Sequence, residues 1–185
     1  MYEEGLVLSI VYVRARMGEA GDNLYQRLRE RSSVVPRAQE NPHKLPASGI
    51  YTKDSLSYED IMSAILKISK GSTGAIATYV GRVRPPGFAG RKIKELVIEA
   101  DHKHSDKTLL QICDEVKKKF GLQLAVIYLY EGSFRVGELL VMVAVAGKGR
   151  SDVFSALDEV TRRFVHESHI RKKEVYEDGG FEWME

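Results

Sequence analysis

Residues 122–130 read LQLAVIYLY, residues 138–146 read ELLVMVAVA, and only EGSFRVG separates them. Two runs this rich in Val, Ile, Leu and Tyr, joined by a short segment containing two glycines, predict two adjacent strands. The second is so continuously apolar that both of its faces must be covered, because a strand with one wet face alternates apolar and polar residues. A chain holding this pair therefore needs a sheet with other elements packed on it, an α+β arrangement.

The rest of the sequence supplies those elements. Ser57 and Asp60 form a capping pair, after which Ile61, Ile65 and Ile68 repeat at helical spacing until Gly71. GAIATYVGRVR at 74–84 and KIKELVIEA at 92–100 read as strands, with the irregular PPGFAG at 85–90 between them. Ser105 is a candidate cap for a second helix with Leu109, Ile112, Cys113, Val116 and Phe120 on its buried face. Gly121 ends it, behind three lysines whose charge suits the negative end of the helix dipole. A last helix is predicted over 151–166, with Val153, Ala156, Leu157, Val160 and Phe164 on one face, and the tail reads as a hairpin around Asp178, Gly179 and Gly180. Upstream, GLVLSIVYV at 5–13 suggests a strand, residues 22–32 have helical spacing, and 34–49 carry three prolines. The expected organisation is an N-terminal arm of unassigned role over 1–49 and one domain over 50–185.

Composition narrows the function classes. A net charge of +2 is too small to argue by itself for nucleic acid or an anionic membrane. No apolar run approaches the roughly 20 residues that span a bilayer. The single cysteine, Cys113, excludes an internal disulfide and a cysteine-cluster metal site, reads as a small buried hydrophobe, and fits a cytoplasmic protein. His43, His102, His104, His166 and His169 lack the spacing of a closed zinc site, so no metal is expected. No Walker motif, dinucleotide fingerprint or serine-hydrolase elbow is present.

What stands out is where the cations gather. Period-2 alternation places Arg82 and Arg84 on one strand face with Val83 between them, and two adjacent guanidinium groups call for an anion. GKGR at 147–150 precedes the last helix, where glycines let the backbone approach a ligand and free N–H groups point outward, a seat for phosphate or carboxylate. RKKE at 171–174 follows that helix.

In their common order and spacing, GAIATYVGRVR, LVIEA, the G-x-F-x-V-G-E turn at 132–138, GKGR with Phe154 beyond it, and RKKE before a tail containing Trp183 resemble the large, catalytic subunit of molybdopterin synthase, the MoaE family. The resemblance covers about residues 50–185. It implies an α/β hammerhead-type fold, a mixed sheet with packed helices and a small extra β region. It implies a sulfurtransferase of molybdenum cofactor biosynthesis that takes cyclic pyranopterin monophosphate, with no cofactor of its own. Sulfur would arrive on the thiocarboxylated Gly-Gly tail of a small ubiquitin-like carrier of the MoaD family, within a heterotetramer built on a homodimer whose sites borrow residues across it. Arg82, Val83 and Arg84 map onto substrate binding, as do Arg150, Lys173 and Glu174, while Lys172 helps hold substrate and assists proton transfer. The chain departs from the family in carrying Gly149 where a histidine is usual and Val165 where the last helix carries a lysine. Two readings stay open: an active synthase subunit in which Lys172 or Lys148 serves instead, and a non-catalytic relative that binds the pterin or the carrier. An RNA-binding module using Tyr79 and Phe88 has little support, because no RNP or KH pattern is present.

Overall fold

A computed structural model of the protein describes residues 45–69, 71–85 and 90–184. The strand and helix expected at 5–13 and 22–32, most of the proline-bearing arm, and Phe88 lie outside them. Along the chain come β1 (Gly49–Thr52), α1 (Tyr58–Ile68), β2 (Ala75–Arg82), β3 (Ile93–Ala100), α2 (His102–Phe120), β4 (Leu124–Phe134), β5 (Leu139–Gly147), α3 (Arg150–Glu167), β6 (Ile170–Tyr176) and β7 (Phe181–Met184). The sheet runs β2-β5-β4-β3-β6-β7, and β1 joins β4 in parallel while every other pairing is antiparallel. This is the mixed α+β arrangement expected from the sequence.

The helix ends show how local chemistry sets the elements. Ser57 caps α1, its hydroxyl accepting from the Asp60 amide at 3.2 Å. For α2 the expected cap is wrong: Asp101 takes that place, accepting from the His104 amide, and the helix begins three residues before Ser105. A carboxylate beside the positive helix end outcompetes a hydroxyl one turn later. Ser105 is instead fully buried, and its hydroxyl donates to the His169 carbonyl at 3.3 Å. At the other end Gly121 adopts the left-handed conformation (φ 61°) that lets α2 stop, with Lys117, Lys118 and Lys119 in its last turn.

The apolar pair of strands behaves as its composition requires. Val143 to Ala146 of β5 are completely buried. β4 runs four residues beyond the expected end, through Phe134, because its first half pairs with β5 while Gly132 to Phe134 pair with β3. A polar segment that looks like a loop is thus a strand supplied with a second partner. Leu109, Ile112 and Val116 of α2 and Val153, Ala156 and Val160 of α3 fill the core, each burial worth about 1.5–3 kcal/mol for the larger side chains.

Residues ahead of β1 belong to this packing. The Tyr128 hydroxyl donates to the Pro46 carbonyl at 3.0 Å, and the buried Ser48 hydroxyl accepts from the Ile127 amide and lies 3.3 Å from Cys113 Sγ. Burial pushes the Cys113 thiol up to about 11, so it stays protonated and inert at neutral pH.

Candidate functional site

The arginine pair sits where β2 leaves the sheet. Pairing with β5 slips between Gly81 and Arg82, then continues through Val83, whose amide donates to the Glu138 carbonyl and whose carbonyl accepts from the Gly137 amide at 2.8 Å. Val83 is buried at 5% exposure, and Arg82 and Arg84 flank it on the outside, as alternation predicts. Their guanidinium groups are used differently. Arg82 Nε donates to the Gly137 carbonyl at 2.6 Å, fixing the β4–β5 turn, whereas Arg84 makes no hydrogen bond to a described residue. The turn is held from its other side by Glu138, which accepts from the Arg135 amide and pairs with Lys53. A hollow of about 460 Å³, lined by Pro85, Lys92, Ile93, Val136 and Glu177, opens next to Arg84 in the chain.

Lys172 occupies a second place. It lines a cavity of about 660 Å³ at the C-terminal end of α3, together with Gln111, Arg163, Val165, His166 and His169. Burial holds its amine below the usual lysine range, favouring a group that can give and take a proton nearer neutral pH. Arg163 on the same wall contributes little free charge. It is bonded to Glu167 through two nitrogens and to Glu115 at 2.8 Å, and these carboxylates raise its pKa further. Ser168 also lines the cavity; its hydroxyl is buried and finds no partner among the described residues, a polar atom that a ligand could satisfy. His169 adopts a left-handed backbone (φ 52°) between α3 and β6, which turns the chain so that Lys172 follows immediately on the sheet.

The anion seat expected at GKGR lies far from both. Gly149 caps α3 without a side-chain hydrogen bond, and Lys148 and Arg150 are exposed beside it. Ala75 pairs with Gly147 and Arg82 with Leu139, so Arg82 stands at the opposite end of β2, about 23 Å away at 3.3 Å per residue. α3 itself separates Arg150 from the Lys172 cavity by about 25 Å at 1.5 Å per residue. One protomer does not bring these cations together.

Strand alternation also divides the RKKE run. Lys172 and Glu174 share one face of β6, where Glu174 is 5% exposed and lies 3.1 Å from the Tyr176 hydroxyl. Lys173 faces the other way, its ammonium 5.2 Å and 5.6 Å from the ring centres of Trp183 and Phe181. The cavity walls contributed by α2, the Ser168 hydroxyl and the reach of Glu115 to Arg163 carry no signature in the sequence, because each depends on how α2 and α3 meet; the Arg163–Glu167 pair, four residues apart on α3, does carry one.

The family profile described as MoaE protein matches residues 51–164, more than half of the chain. The molybdopterin synthase catalytic subunit of Pyrococcus abyssi is 34% identical over 130 residues, 68% of this chain and 84% of that protein. That of Bacillus subtilis is 32% identical over 128 residues, 69% of this chain and 79% of that protein. Among solved structures, the molybdopterin synthase from Staphylococcus aureus superposes with a TM-score of 0.68 at 25% identity, covering 77% of this chain and 99% of that one. A Burkholderia ambifaria MoaE protein shares the fold at a TM-score of 0.61 and 24% identity, over 75% of this chain and 89% of that one. With its profile matched over more than half of the chain and its fold shared, the chain belongs to the MoaE family.

Proposed function

We propose that the protein is the large, catalytic subunit of a molybdopterin synthase, converting cyclic pyranopterin monophosphate to molybdopterin with two sulfurs delivered by a thiocarboxylated small carrier. The observation that carries this reading is Lys172. Burial holds its amine below the ordinary lysine range, and it stands in a cavity with a buried hydroxyl that has no partner among the described residues. Sulfur addition and opening of the cyclic phosphate both require protons to move and anionic charge to be stabilised. Lys172 is suited to the first task. Arg84, with its guanidinium uncommitted among the described residues, is suited to the second, with Arg82 holding the strand end in place.

The separation of Arg150 from Lys172 supports a homodimer in which a second copy supplies Arg150, and the carrier then completes a heterotetramer in the cytoplasm. No helix among the described residues is long and apolar enough to cross a membrane. The reaction needs no resident metal or cofactor in this scheme.

Reconstitution with cyclic pyranopterin monophosphate and thiocarboxylated carrier, read by fluorescence of the oxidised pterin, tests the reading. Wild type should form product at a catalytic rate. Arg150→Ala and Lys172→Ala should each be impaired, and mixing the two inactive proteins should restore part of the activity through hybrid dimers. Absence of restoration would remove the shared site. Val165, 46% exposed on the cavity wall where the family carries a lysine, favours a second reading, a relative that binds pterin and carrier without turnover. Binding of both with no product would select it.

A further inference from the structure

The segment between β2 and β3 carries Arg84, and both of its ends are anchored. Its first end is held by the Arg82 bond to Gly137 and the Val83 pairing described above. Its second end is held by Arg91, two residues before β3. Arg91 reaches across to the β6–β7 hairpin, where Nε donates to Asp178 Oδ2 at 3.1 Å and Nη2 donates to Asp178 Oδ1. The guanidinium lies over the Tyr176 ring at 4.0 Å from its centre. Tyr176 in turn donates its hydroxyl to Glu182 at 2.9 Å and approaches Glu174. Beside this contact the Glu177 amide donates to the Lys92 carbonyl at 3.1 Å.

Two details make this more than an incidental surface pair. An exposed ion pair by itself contributes little, since water screens it and both side chains lose freedom. Here the two-pronged geometry and the aromatic face beneath it fix the guanidinium plane, which a point-charge ammonium could not reproduce. The hairpin also leaves room for it: a Cβ at Gly180 would lie 2.5 Å from Arg91 Nη2, although Gly180 has no positive φ that would demand glycine. The Gly180 amide donates to Asp178 Oδ1 as well, orienting the carboxylate towards Arg91.

We infer that Arg91 is a positioning residue, a clasp that ties the Arg84-bearing loop to the hairpin at the end of the strand carrying Lys172 and Glu174, so that phosphate-holding and proton-transferring groups keep a fixed spacing. The inference rests on the proposed synthase function for its catalytic meaning, but the clasp itself does not. Arg91 acts through the loop and is assigned no contact with substrate.

Gly180→Ala is the cleanest perturbation, because it displaces the guanidinium while leaving every charge and every assigned site residue intact. It is to be paired with Arg91→Lys, which keeps the charge and loses the fork. Two readouts are taken on the full chain: hydrogen exchange of the amides of Val83, Arg84 and Gly90 to Ile93, and the dissociation constant for cyclic pyranopterin monophosphate without the carrier. Both variants should exchange at least about tenfold faster in that segment and bind the pterin about five- to tenfold more weakly, with exchange in α2 and β5 unchanged. Unchanged exchange near Arg91 overturns the clasp, whatever the ligand does. Faster exchange with wild-type affinity overturns its positioning role. Faster exchange in a protein that never binds the pterin confirms the clasp and sinks the synthase reading instead.

Discussion

Gly147 is the last residue of β5 and lies beneath the first turn of α3, which makes it the most direct handle on Arg150. A Cβ at this position would stand 2.8 Å from Leu122 Cδ2 and 2.9 Å from Val153 Cγ2. Carbon atoms in a packed interior sit about 3.5–4.0 Å apart, so Gly147→Ala needs about 0.7 Å of relief. Leu122 and Val153 are both buried, at 6% and 1% exposure, and neither has open space to retreat into. The relief must come from lifting the start of α3 off β5, carrying Arg150 with it. Overpacking of this kind costs about 1–3 kcal/mol, or roughly 2–4 °C in melting temperature per kcal/mol for a chain of this size. A displacement approaching 1 Å at a group that holds substrate costs up to about 100-fold in rate, so under the proposed role of Arg150 a loss of about tenfold in kcat/KM is expected. The control is Gly71→Ala. Gly71 has φ 77° and nothing within 4 Å, so alanine there adds left-handed strain of about 1–2 kcal/mol and moves nothing. Thermal melting and the reconstituted synthase assay would be run on both. If Gly147→Ala loses no more activity than an equally destabilised Gly71→Ala, the link from β5 packing to Arg150 is refuted.

Arg84→Ala should raise KM for the pterin about ten- to a hundredfold, the weight of charge-assisted bonds to a phosphate, and Arg82→Lys should cost less; equal effects would contradict the division of labour between them. Lys172→Met should lower turnover about 100-fold and change the pH dependence of stability. Burial lowers the folded-state pKa of Lys172 below 10.5, so between that lowered value and 10.5 the unfolded chain holds the extra proton and wild-type stability rises with pH. Below this window the half-buried charge is a steady cost. The methionine variant should therefore be the more stable of the two near neutral pH, with the difference shrinking as pH climbs to 10.5 in chemical denaturation; a constant difference would show that burial does not lower the Lys172 pKa. Cys113 should resist maleimide in the native protein and react only on unfolding, and Cys113→Ala should leave turnover unchanged.

The elements most legible in the sequence were those whose signal is local. Ser57 with Asp60, Gly121 behind three lysines and the Asp178–Gly180 turn all stand as their own residues dictate. The cap at Ser105 was misread because Asp101 competes from four residues upstream, and the end of β4 because its pairing with β3 compensates for a polar sequence. Of the site, alternation gave the exposure of Arg82 and Arg84 with Val83 buried between them. The same rule, applied to Lys172 and Lys173, separates them onto two faces. That Arg150 lies a full helix length from Lys172, that Glu115 of α2 reaches Arg163, and that Arg91 reaches the last hairpin are consequences of three-dimensional neighbours, which spacing along one chain does not encode.

The place of β3 in the sheet has a consequence for how the chain is made. Its partner β6 begins at Ile170, which pairs with Ala100, so 70 residues must follow Ala100 before that side of β3 can be covered. At roughly 5–20 residues per second, synthesis leaves this edge open for about 4–14 seconds. During that interval an alternating strand containing Ile93, Leu96 and Ile98 offers its backbone to any other extended chain. Lys92 just ahead of the strand and Lys94, Glu95 and Glu99 within it supply charges of both signs that discourage such pairing. Neutralising them should leave the finished protein nearly as stable and lower the soluble yield, so that these charges matter most to a chain that has not yet finished folding.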